Sequence, residues 1–177
     1  MKKRIFALPL LFLLLFQNAF SQTAKEEPGP PSNEAEFERQ YQESIRKEML
    51  NGVYIPKNLE EAMLELDKRV SAEARLKFKS LPEDSVCAVM HHRLGQWMII
   101  NWGFYGGSRL SHYLRSAGVT FPDDMADFII LAYHRRQHGK PIGIKELATE
   151  FRERRKKEYQ EEMKKGKVIH EEVRKRN

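Results

Sequence analysis

Cysteine is nearly absent from this chain: Cys87 stands alone among 177 residues, so no disulfide can close within it and packing alone must hold the fold. Long apolar runs are scarce as well. The stretch from Ile5 to Phe16 is twelve residues long, short of the roughly 20 that span a bilayer. Alternating apolar and polar residues, the mark of a half-buried strand, extend no further than Gly52-Val53-Tyr54-Ile55, which excludes a sheet-based domain. A G-x-S-x-G elbow, a phosphate loop and a dinucleotide fingerprint are all missing. No catalytic residue and no cofactor is therefore expected.

Strong net charge is lacking too, once its distribution is considered. The formal value of +6 comes from 31 basic and 25 acidic residues. Lys2, Lys3 and Arg4 precede the first apolar run, and without those three the surplus falls to +3. Residues 151–177 hold eleven Lys or Arg against six Glu, whereas residues 22–150 hold seventeen bases and nineteen acids. All the positive surplus sits in one tail. A near-neutral domain with a basic tail argues against a nucleic-acid partner, which calls for a cationic patch on the domain itself.

What is present begins with a charged start, the apolar run, and small residues at Ala19 and Ser21. That order predicts an export signal over 1–21, cut after Ser21, with no membrane span left afterwards and a periplasmic or secreted location. Residues 22–33, QTAKEEPGPPSN, have three prolines and no large apolar side chain, so they read as a disordered leader. Phe37, Tyr41, Ile45 and Met49 recur every four residues and predict a flanking helix within 34–52, stopped by Asn51-Gly52.

The compact part is expected over 53–150 as an all-α domain of about five helices. Asn58 caps a helix whose face is Leu59, Met63, Leu66 and Val70, and Ser71 caps a short one after it. Pro82 opens a long rod reaching Asn101, with Val86, Val89, Met90, Leu94, Trp97 and Met98 on a broad apolar face. That rod is the expected centre of the packing. Gly103, Gly106 and Gly107 break it, a short helix follows from Ser108, and Pro122-Asp123-Asp124 starts another that runs to His138. The last helix begins near Ile144 and continues as a basic, charged extension over 151–177, with Glu-to-Lys or Glu-to-Arg pairs four apart at Glu153/Lys157, Glu161/Lys165 and Glu172/Arg176.

Several of these stretches occur together in one known family. IPKNLEEAMLEL, LPEDSV, HHRLGQW, NWGFYGGSRL and PDDMADFII resemble, over about residues 55–139, a bacterial family catalogued as domain of unknown function 6794. The resemblance implies a helical domain with no established activity. The family usually carries Arg-Asn after its tryptophan, where this chain has Ile99-Ile100. A ligand contact made by that arginine in relatives would be lost here.

Candidate sites compete with plainer explanations. Cys87 and His91 share a helix face, as do His134 and His138, and each pair is half a zinc site. Two further ligands would have to come from elsewhere, so no metal is assigned. Adjacent His91 and His92 point about 100° apart and do not share an ion easily. Asp123 and Asp124 have the composition of an acid–base pair, but a helix start selects the same residues through capping and the dipole. The glycine turn is the better candidate. Trp102 and Tyr105 flank it, and Ser108, Arg109 and His112 open the next helix, where free amides can hold an anion. The plainer alternative is that these rings plug a helix junction.

The sequence thus predicts an exported, non-enzymatic binding or accessory protein for a protein or small ligand, centred on Trp102, Tyr105, Ser108, Arg109 and His112. A cleft joining His91, His92, Asp123 and Asp124 would instead suit a metal- or carboxylate-dependent hydrolase. An anionic-surface binder acting through the tail is the third reading. Oligomeric state is not legible.

Overall fold

A computed structural model describes residues 29–166. The predicted signal, most of the leader and the Glu172/Arg176 pair lie outside the described residues. The element order is α1 (Glu34–Ser44), β1 (Met49–Leu50), β2 (Val53–Tyr54), α2 (Leu59–Arg69), α3 (Ala72–Lys79), α4 (Val86–Met90), a π turn (His91–Gly95), α5 (Gln96–Asn101), α6 (Arg109–Ser116), α7 (Pro122–Gln137) and α8 (Ile144–Lys165). The fold is all-α apart from one small hairpin. Among the described residues, no helix is long and apolar enough to cross a membrane.

Local chemistry sets most helix starts. The side chains of Asn33, Asn58 and Ser71 accept from the amides of Glu36, Glu61 and Ala74, supplying partners that the first helical turn cannot. At α6 the exchange is reciprocal: the Ser111 amide donates to Ser108 Oγ at 3.2 Å, and the Ser108 amide donates to Ser111 Oγ at 2.8 Å.

The flanking helix ends earlier than its apolar spacing predicts. Asn51 and Gly52 take φ values of 49° and 77°, the paired left-handed geometry of a two-residue hairpin. Met49 consequently pairs with Tyr54, and Leu50 with Val53. The Asn-Gly step folds the chain back instead of merely stopping a helix.

The centre of the packing also differs from expectation. α7, not the Pro82–Asn101 rod, is buried on nearly every side: Met125, Ala126, Phe128, Ile129, Ile130, Ala132 and Tyr133 all have no solvent exposure. The rod, which begins at Val86 and not at Pro82 and is formed by α4, the π turn and α5, buries Val86, Met98 and Ile99 but leaves Val89 and Ile100 exposed. An amphipathic rod packs on one side only, whereas a helix apolar all round must be enclosed. The rod lies close to α7 at its wide turn, where a Cβ on Gly95 would come within 3.6 Å of Ala126 Cβ.

Candidate functional site

The glycine turn splits into core and surface. Trp102 and Phe104 are fully buried, with Trp102 edge-on to Trp97 at 5.5 Å, while Tyr105 is 71% exposed. Trp102 is therefore a plug in the helix junction with no face for a ligand. Ser108 is 1% exposed and its hydroxyl and amide are both engaged with Ser111, so its side chain caps the helix.

Arg109 acts as a strut. Its Nε donates to the Ile55 carbonyl at 2.7 Å, one terminal nitrogen donates to Glu48 at 3.2 Å, and the guanidinium lies 4.7 Å from the Tyr54 ring centroid. This ties the hairpin to α6. His112 meets α1, its Nδ1 3.0 Å from Tyr41 Oη. Of the five residues read as one recognition surface, Tyr105 and His112 are exposed, whereas Trp102 and Ser108 are buried and Arg109 is half-buried.

Tyr105 joins another group. Its hydroxyl donates to Asp123 Oδ2 at 3.5 Å, and Asp123 Oδ1 lies 3.4 Å from His91 Nε2. On the far side of that imidazole, Nδ1–H donates to Asp127 Oδ1 at 2.8 Å. His92 stacks edge-on against His91 with centroids 5.5 Å apart. The turn, the histidine pair and the first aspartate therefore meet in one surface line. α7 supplies both carboxylates, because residues four apart share a helix face. The Asp123–Asp127 spacing was present in the sequence, yet Asp127 was not singled out.

Asp124 does not belong to this line. It is 5% exposed and points toward α8, where Arg155 donates Nε to Oδ2 at 2.9 Å and a terminal nitrogen to Oδ1 at 2.7 Å, with Arg154 adding a 3.2 Å bond. The four-residue cleft is thus incomplete: His91, His92 and Asp123 gather and Asp124 turns away.

The proposed zinc halves are engaged elsewhere. Cys87 S–H donates to the Asp127 carbonyl at 3.4 Å, and burial, aided by the Asp127 charge, pushes its thiol up to about 12. His134 Nε2–H donates to the Leu81 carbonyl at 2.9 Å, and His138 Nδ1–H donates to the His134 carbonyl at 2.9 Å. Among the described residues, no three His, Cys, Asp or Glu side chains stand together in a metal-holding set.

A separate groove of about 380 Å³ lies between the α6–α7 loop and α8, bounded by Phe121, Phe151 and Tyr159 with charged residues around them. Nothing in the sequence reading singled it out. Its walls come from segments some thirty residues apart, and neither is unusual alone. No curated protein and no solved structure matches the chain. Residues 55–137, from the end of the hairpin through α7, match the family model described as Domain of unknown function (DUF6794).

Proposed function

We propose that this is an exported, non-enzymatic binding or accessory protein whose recognition patch runs along Tyr105, Asp123, His91 and His92. The single observation behind this reading is the convergence of an exposed phenol, a carboxylate and two imidazoles from three segments on one surface. Such a patch suits a ligand bearing an amine or amide donor beside a flat group, since the carboxylate accepts and the rings offer faces. The charged start, short apolar run and small residues of 1–21 support export. A tagged protein used as bait in a cell-envelope extract should retain a partner that Tyr105→Ala with Asp123→Asn releases, in a variant whose helix content is unchanged. Equal retention by the variant would reject this patch.

One observation favours a second reading, a hydrolase. Asp127 accepts from His91 Nδ1, the contact by which a carboxylate orients a general base, while Nε2 faces the Asp123 carboxylate. The nearest thiol, Cys87, is a poor nucleophile with its proton so firmly held. Turnover of an ester or glycoside panel that disappears in His91→Ala would establish this reading, and absence of turnover in the wild type would dismiss it. The tail reading has less support, since Arg154 and Arg155 are committed to Asp124.

A further inference from the structure

α8 leaves the domain with a face that no other described residue covers. Phe151 is buried at 3% exposure, but farther along the helix Tyr159 and Met163 are 61% and 64% exposed. Phe121, on the opposite wall of the groove, is 49% exposed. Apolar rings at that exposure across a concave surface are the usual signature of an unfilled contact.

The charges along this face identify its occupant. Groove-lining Arg152, Arg155 and Lys156 come first along α8, and groove-lining Glu158 and Glu162 come after them. Arg155 is spent on Asp124, whereas among the described residues no carboxylate lies within ion-pair distance of Lys156. A second α8 laid parallel would set base against base. Laid antiparallel about Tyr159, it sets Lys156 of each copy opposite Glu162 of the other, with the tyrosines meeting between them. Glu158 is taken up by Arg154 and Arg155 of its own helix, so Lys156 and Glu162 are the charges this pairing joins, and the antiparallel arrangement joins them twice, as a two-fold interface must.

We infer that the groove between the α6–α7 loop and α8 is a self-association surface, occupied by α8 of a second copy running antiparallel. This goes beyond the binding reading above and does not depend on it. The stretch from Arg152 to Lys165 is about 21 Å long at 1.5 Å per residue. That length places the contact near the small end of specific interfaces, so a reversible, micromolar dimer is expected.

Sedimentation equilibrium of the purified protein tests the inference. A dimer should form at tens of micromolar and weaken at about 0.5 M salt, where charge pairing is screened. Tyr159→Glu should abolish it. Lys156→Glu and Glu162→Lys should each weaken association roughly tenfold, and the combined K156E/E162K chain should recover most of that loss, because the swap restores complementarity. All three positions are solvent-facing, and unchanged circular dichroism would confirm folding. Three outcomes would overturn the inference: a monomer at several hundred micromolar, a dimer indifferent to Tyr159→Glu, or a double swap without recovery. A monomer retained by anionic vesicles and released by Tyr159→Glu would assign the face to a membrane surface instead.

Discussion

Asp123 and Asp124 are chain neighbours whose carboxylates serve opposite sides of the first turn of α7. Asp123 turns outward to His91, with Oδ1 3.4 Å from Nε2, and Asp124 turns inward to Arg155, with Oδ1 2.7 Å from a guanidinium nitrogen. The two bonds to Arg155 lock α8 across the start of α7.

Asp124→Asn should cost about 2 kcal/mol, below the range for fully buried pairs because the arginines are partly wetted. Asp123→Asn should cost less than about 1 kcal/mol, the worth of an exposed acid at a helix start. Urea denaturation of both variants would separate them, and equal losses would refute the inward role of Asp124.

The Cys87 thiol, pushed up to about 12 from 9.0, should react slowly with iodoacetamide. At about pH 8 the native protein should alkylate at least a hundredfold more slowly than the urea-unfolded chain, since only thiolate attacks. Mass spectrometry over time would check this. Native alkylation at the unfolded rate would show an open α4–α7 contact.

Burial lowers the His134 pKa below its usual 6.5. The unfolded chain then takes up a proton near pH 6.5 that the folded chain refuses, so this contribution to stability is complete above that pH and lost as pH falls below it. His134→Gln keeps a side-chain donor for the Leu81 carbonyl without the titration. Its stability should therefore fall less than that of the wild type between about pH 7.5 and pH 5, as urea midpoints would reveal. Parallel slopes would contradict this assignment.

At Gly107 the backbone has φ +84°, and an added Cβ would lie 2.7 Å from Tyr41 Cδ2 and 2.9 Å from Cε2. Gly107→Ala should cost about 1–3 kcal/mol, combining left-handed strain with displacement of the ring. Removing the ring as well, in Gly107→Ala with Tyr41→Ala, should give less than the sum of the two single losses. Strict additivity would place α1 away from the turn.

Much of the secondary structure was legible because its causes are local. Asn58, Ser71 and Ser108 each find their capping partner three residues ahead, and Pro122 has no amide to leave unsatisfied at the start of α7. The hairpin was the exception: Asn51-Gly52 reads equally as a helix stop, and only pairing between Met49 and Tyr54 distinguishes the two.

The candidate site was legible in part. His91, His92, Tyr105 and Asp123 were each named from the sequence, but their meeting depends on where the rod, the turn and α7 cross. Trp102 and Arg109 show the limit. A tryptophan beside glycines is equally a hot spot or a plug, and an arginine is equally a ligand contact or a strut, until the partner is known. Here the partners are Trp97 at 5.5 Å and the Ile55 carbonyl at 2.7 Å, the latter 54 residues away.

By itself, then, the sequence determined the all-α class, most helix starts and the break after Asn101, because caps, prolines, glycines and periodicity act within a few residues. Tertiary structure alone decided that α7 is central, that Asp123 and Asp124 part company, and that a groove opens beside α8. Each of those depends on contacts between segments far apart in the chain, and the free energy of such contacts comes from burial and geometry that no local pattern encodes.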